Sequence, residues 1–262
     1  MIPPNSEERT RSSSAPTVSI IVPAKNEANN LRQVLPQLPA VHEVILVDGA
    51  SVDGTIQAAR EVMPEIRVVR QTRTGKGNAL ACGFAAATGD IVVMFDADGS
   101  ADPAEIPRFI KALTDGADFA KGSRFADGGG SQDITRIRRW GNGGLHLVAN
   151  AVFRTRFSDL CYGYNAFWRD LVPVLDLPSA DVAADAGMLW GDGFEIETVI
   201  NCRMAASNAR IAEVPSIELR RISGETNLRT FADGARVLRT IIAERKRAVA
   251  QRARNRSRGQ TS

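Results

Sequence analysis

Four short runs of branched and aliphatic residues, Val18–Val22, Val44–Val47, Ile66–Val69 and Ile91–Phe95, alternate with segments of helical spacing. Turn-forming residues bound each run, so each reads as a buried strand. Between the first two, Leu31, Val34, Leu35 and Leu38 recur at the i, i+3, i+4 and i+7 positions of one helix face. The next helix is capped near Ser51 or Asp53 and carries Ile56, Ala59, Val62 and Met63 on one side. A third spans Lys76–Ala87. Strand–helix–strand repetition of this kind predicts an α/β fold, a mainly parallel sheet with helices on both faces. At 262 residues, 44% of them hydrophobic, the chain can bury one large core.

The two ends read differently. Residues 1–16 are rich in Ser and Pro and predict a disordered leader; residues 17–244 predict one domain. From Arg245 to Ser262 there are seven basic residues and no acid, a composition that predicts a disordered tail able to meet polyanions or acidic lipid. Just before it, Phe231, Ala235, Leu238, Ile241 and Ile242 form an apolar stripe, with Arg229, Arg236, Arg239, Arg245 and Lys246 around the same C-terminal helix. Such an amphipathic helix suits either a core or an anionic bilayer surface. Cys82, Cys161 and Cys202 are odd in number and lack metal-ligand spacing, which predicts buried thiols in a reducing compartment. No run approaches the ~18 apolar residues of a membrane span, and the first residues lack a signal-peptide core. The expectation is a cytoplasmic protein whose membrane contact, if any, is peripheral and at the inner face. Nothing points to a nucleic-acid partner, and the oligomeric state is not legible.

The chemistry lies at the strand ends, where open α/β sheets bind ligands. The fourth run delivers Asp96 and Asp98, oxygen donors one residue apart that suit a hard divalent cation also held by substrate phosphates. The first strand ends in Pro23-Ala24-Lys25-Asn26-Glu27, and the second in Asp48-Gly49-Ala50-Ser51. Both bring acids and amides to the same edge, a pocket for the donors of a base and ribose. Thr74-Gly75-Lys76-Gly77-Asn78 sets a glycine-flanked lysine at a helix start, where the helix N-terminus and the ammonium both favour phosphate. His42 and His146 are far apart in sequence and read as structural. Trp140, Trp168, Trp190, Tyr162 and Tyr164 could line a groove for a sugar or a polyprenyl chain, but most of them read as core.

The series VSIIVPAKNEANNL, ILVDGASVDGT, GKGNALACGFAAATGDIVVMFDADGSADP and GSRF resembles the family 2 glycosyltransferases of GT-A fold, whose sheet is Rossmann-like. GSRFADGG, RRWGN, DLCYGYNAFWRD, GFEIE and EVPSIELRRISGETNL are similar to the dolichyl- or polyprenyl-phosphate sugar synthases, and the likeness runs from about Val18 to Glu244. The resemblance implies that Pro23, Asn26, Glu27 and Asp48 line the nucleotide pocket. It implies that Asp96 and Asp98 bind Mg²⁺ or Mn²⁺ on the donor diphosphate, with Ser100 at a further ligand position. It also implies that Arg124, Arg138 and Arg221 grip phosphates, a task suited to the bidentate guanidinium. Two departures stand out. The family's Asp-Asp on the second strand is Asp48-Gly49 here, and the lysine after the late Gly-Glu-Ser is Asn227.

The implied reaction is a metal-dependent, inverting transfer of a hexose from a UDP- or GDP-sugar to a polyprenyl phosphate. Lys76 or the arginines would then neutralise charge on the leaving diphosphate. A phosphate acceptor needs no general base, since its second pKa is near ~6. A soluble hydroxyl acceptor would need one, and Asp192 or Glu195 is the candidate. Two further readings are a sugar nucleotidyltransferase, whose glycine-rich turn would be expected after the first strand, and an inactive nucleotide- or lipid-binding module, against which the intact DxD argues.

Overall fold

The computed structural model describes residues 15–134, 136–182, 187–223 and 230–259, without the side chains of 136–142, 230–233, 255–256 and 258. The four predicted strands form as β1 (Val18–Ala24), β2 (Glu43–Asp48), β3 (Arg67–Arg70) and β4 (Ile91–Met94), joined by α1 (Ala28–Val34), α2 (Thr55–Val62) and α3 (Lys76–Ala86). The second half contributes α4 (Ile106–Thr114), β5 (Phe119–Ser123), β6 (Gly130–Ser131), α5 (Arg136–Phe153), β7 (Asn165–Trp168), α6 (Val172–Leu175), α7 (Ile196–Ala206), β8 (Ile211–Pro215), β9 (Ile217–Glu218) and α8 (Thr230–Gly259).

Seven strands make the main sheet in the order β3-β2-β1-β4-β7-β5-β8, and β6 pairs with β9 separately. All its pairings are parallel except those of β7, which runs antiparallel to both β4 and β5. Two reversals cancel, so β5 points the same way as β4, and the carboxyl ends of β1, β2, β4, β5 and β8 share one edge. Successive residues of each central strand go to opposite faces. Ile20, Val22 and Leu46 pack with Leu31 and Phe109 on one face. Ile21, Ile45 and Val47 pack with Leu80, Phe167 and Ile200 on the other. Burial on both faces explains why these strands read as continuous apolar runs. Tyr162, Tyr164 and Trp168 are core residues, whereas Trp190 is partly exposed and donates Nε1 to Glu244 (2.9 Å).

The C-terminal segment departs from expectation. Helix α8 continues through Arg245 to Gly259 where the composition predicts a disordered tail. Arg, Lys, Ala and Gln are strong helix formers, and cations at helical spacing can face water without breaking the helix. Tertiary contacts hold it: Ile241 and Ala248 are buried, Glu244 pairs with Arg203 of α7 (2.9 Å), and Arg247 pairs with Asp176. The predicted stripe is also divided. Ile241 packs inward, while Leu238 and Ile242 stay exposed. Among the described residues no helix is long and apolar enough to cross a membrane.

Candidate active site

At the shared carboxyl edge, the ends of β1 and β2 brace one another. Asp48 is buried and accepts from the backbone N–H of Ala50 (3.1 Å) and Ser51 (3.3 Å), which folds its own loop. Asn26, with φ of 59°, accepts from Val52 N–H (2.9 Å) and donates its backbone N–H to Ser51 Oγ (2.9 Å). Asp53 accepts from Ala28 and Thr55 N–H (3.0 Å each). Pro23 lies within β1 opposite Val47 of β2. Gly49 fits a narrow place: a Cβ there would stand 3.1 Å from Lys25 Cβ and 3.3 Å from Ala24 O. The small residue at the departing position therefore matches close packing of the two loops.

Beyond β4 the acids gather. Lys76 Nζ lies 2.7 Å from Asp96 Oδ1 and 2.7 Å from Glu197 Oε1 of α7. Arg221 reaches Asp98 Oδ2 at 2.8 Å and Glu27 Oε1 at 3.8 Å. Asn30 donates to Glu27 and is held in turn by Ser223 Oγ (2.5 Å). Ser100 donates its backbone N–H to Asp98 Oδ1 (2.9 Å), and Ile222 N–H bonds Asp98 O (3.0 Å). The predicted residues Glu27, Lys76, Asp96, Asp98, Ser100 and Arg221 thus meet in one place. Lys76 is not a free phosphate donor, as its helix-start position suggested: two carboxylates occupy it. Burial disfavours its ammonium, but Asp96 and Glu197 outweigh that and hold its pKa above the usual range. Burial raises the Asp96 pKa, with Asp98 and Glu197 adding to the effect. Glu27 is likewise raised by burial and by Asp98 and Asp96.

Four carboxylates therefore face two cations, an excess of two negative charges. Among the described residues no three carboxylates converge as a ready-made cage. Two hard oxygen donors one residue apart, in a cluster with more carboxylates than cations, fit a Mg²⁺-like ion that takes its remaining ligands from substrate phosphates. Asp96 and Asp98 are the residues that would hold it.

Glu197 escaped the sequence reading. Its signal was a polar residue on a helix that is buried nearly all round, α7. Nor did the sequence reveal what fixes the Lys76 loop. Arg73 and Asp192, both buried, form a bidentate pair (2.7 and 3.0 Å), and Gly77 N–H donates to Asp192 O (2.7 Å). The loop lies so close that a Cβ on Gly77 would stand 1.8 Å from Gly191 O. Gly77→Ala is expected to cost about 1–3 kcal/mol through overpacking, read as a lowered urea midpoint, and to weaken transfer. An unchanged midpoint would mean the two loops part easily. Asp192 is tied to Arg73 in a buried ion pair, whereas Glu195 accepts from Gly191 (3.0 Å) and Gly193 (3.3 Å) N–H through one carboxylate oxygen.

Arg124 is also spoken for. It forms a bidentate pair with Asp159 (2.7 and 3.0 Å), bonds Glu218 at 3.0 and 3.1 Å, and lies 5.0 Å from the centre of the Tyr162 ring. Burial is overcome by these carboxylates, which raise its pKa further. Arg124, expected to grip phosphate, here forms ion pairs that join β5 to the loop before β7 and to β9. Arg138 belongs to α5, but its side chain lies outside the described residues, as does Asn227.

Known proteins resemble this chain in sequence and in fold. The model of the family described as Glycosyl transferase family 2 matches residues 19–175. An undecaprenyl-phosphate mannosyltransferase of Micrococcus luteus is 32% identical over 223 residues, covering 80% of this chain and 87% of its own. A dolichol-phosphate mannosyltransferase of Pyrococcus furiosus is 28% identical over 222 residues, 81% of this chain; the match spans only 59% of that relative's length. Among solved structures, glucosyl-3-phosphoglycerate synthase from Mycobacterium tuberculosis in complex with uridine diphosphate superposes with a TM-score of 0.67. It shares 23% identity and covers 88% of this chain and 80% of the other, a likeness of fold.

Proposed function

We propose, on the premise that this chain belongs to glycosyltransferase family 2, that it moves a hexose from a nucleoside-diphosphate sugar to a polyprenyl phosphate, with inversion and with Mg²⁺ or Mn²⁺. The observation that carries the acceptor is how the two carboxylates that could serve a hydroxyl as base are held. Asp192 is locked in a buried ion pair with Arg73, while Glu195 is turned to its own loop and accepts from the backbone N–H groups of Gly191 and Gly193. An acceptor already ionised at neutral pH needs neither. The names of the Micrococcus luteus and Pyrococcus furiosus relatives support the same acceptor class.

In this reading, the braced ends of β1 and β2 shape the base and ribose pocket. A divalent ion on Asp96 and Asp98, when bound, neutralises charge developing on the departing diphosphate. Lys76, held by Asp96 and Glu197, keeps a fixed positive charge beside that position. Arg221, half-buried at the rim, is the cation placed to meet an acceptor phosphate, which its fork can take bidentately. The acceptor oxyanion attacks the anomeric carbon as the bond to the diphosphate breaks.

The test is a donor panel of UDP-glucose, UDP-N-acetylglucosamine and GDP-mannose with a short-chain polyprenyl phosphate or 3-phosphoglycerate, with Mn²⁺ or EDTA. Metal-dependent transfer to the polyprenyl phosphate alone is the expected result. Transfer to phosphoglycerate alone, which the mycobacterial structural neighbour's name suggests for that enzyme, would replace the lipid acceptor with a soluble one.

A further inference from the structure

A cavity of about 430 Å³ lies away from the catalytic cluster, between the C-terminal ends of α5 and α7, the start of β8 and the middle of α8. Ile211, the first residue of β8, lines it, so it opens near the sheet edge opposite Asp96. Its walls have two chemistries. Val152, Phe153, Ile211 and Ala248 make an apolar side, while the exposed Arg154, Arg245 and Arg252 bring three cationic side chains to its rim. No Asp or Glu lines it.

The arginines come from separate places in the chain. Arg154 directly follows α5 in a left-handed turn, with φ of 58°. Arg245 and Arg252 are seven residues apart on α8, two turns along one side of the helix. Arg252 makes a long bond to Ala206 O (3.4 Å) at the end of α7. Among the described residues Arg154 and Arg245 form no ion pair, in contrast to Arg73, Arg124, Arg203 and Arg247, each matched to a carboxylate.

Three cations around one concavity repel one another, and that repulsion is relieved by an anion. Guanidinium groups suit phosphate oxygens bidentately, and the apolar wall suits a short aliphatic part attached to that phosphate. We infer that this cavity is a second anion site, taking a phosphate group that bears an apolar portion and separate from the site of transfer. The phosphate can come from a soluble phosphate ester or from a lipid headgroup. The exposed Leu238, Ile242 and Val249 on the same helix offer apolar residues for the latter.

The test uses the full chain, inorganic phosphate by calorimetry, and sedimentation with vesicles of phosphatidylcholine alone or mixed with phosphatidylglycerol. Arg154→Gln/Arg245→Gln is compared with Arg239→Gln/Lys246→Gln, which removes two α8 cations outside the cavity. The cavity variant is expected to lose at least about tenfold in affinity, since each cation near an anionic surface contributes on the order of 1 kcal/mol; the control should lose less. Phosphate binding lost in the cavity variant identifies a soluble ligand, and binding restricted to phosphatidylglycerol vesicles with the same loss identifies a headgroup. The proposal is overturned if neither probe binds, if the cavity variant binds as wild type does, or if both variants lose equally.

Discussion

Asp98→Ala is expected to lower glycosyl transfer by about 10²–10³-fold or more, the scale on which removal of one group that stabilises transition-state charge is felt. Its carboxylate pairs with Arg221 at 2.8 Å and is oriented by Ser100 N–H at 2.9 Å. The substitution removes a candidate metal ligand and leaves Arg221 directed only at the more distant Glu27. Because Asp98 follows β4 rather than packing in the core, the urea midpoint should move little. Donor binding should also lose its dependence on Mn²⁺, a readout that a folding defect would not mimic. Turnover equal to wild type would remove Asp98 from the site.

Arg124→Met is expected to act on stability. Asp159 is fully buried beside the guanidinium, and its pKa is held below the ordinary range: burial opposes ionisation, but the Arg124 charge and hydrogen bonds outweigh it. Removing one partner of a buried pair costs about 3–5 kcal/mol, a large share of the ~5–15 kcal/mol that stabilises a typical domain. A depressed carboxylate contributes its stability above the unfolded-state pKa of about 3.9 and loses it as pH falls through the folded value. The gap between wild type and variant, measured by urea unfolding, should thus be full near pH 7 and narrow in acid. Arg124→Met/Asp159→Leu should recover much of the loss. A variant of wild-type stability that fails only with a phosphate acceptor would return Arg124 to the acceptor site.

The two residues mark the division between what is legible locally and what is not. Asp98 is reached through pattern: an apolar run of four or five residues is a buried strand, the chain must turn at its end, and the turn of an open α/β sheet is where ligands sit. The same logic brought Asn26, Glu27 and Asp48 to the site edge. Arg124 also follows a strand, yet its role depends on Glu218, 94 residues away, and Asp159, 35 away. No periodicity encodes such a pairing. Lys76 illustrates the intermediate case. Its place at the start of α3 was readable, but Glu197, which helps engage its charge, comes from a helix more than a hundred residues later.

By itself, then, the sequence determined the alternation of β1 to β4 with their helices, the two-faced burial of the sheet, and the delivery of Asp96 and Asp98 to its carboxyl edge. These follow from side-chain periodicity and turn chemistry, which act over a few residues. Only the tertiary structure decided that β7 enters the sheet antiparallel, that α8 stays helical through its cationic segment, and that Arg73 and Asp192 clasp the Lys76 loop across 119 residues. It also decided which cations are spent on buried carboxylates and which, like Arg154 and Arg245, are left facing a cavity. The physical reason is the same throughout: a charge takes its role from the partner that packing places beside it, and packing is a property of the whole chain.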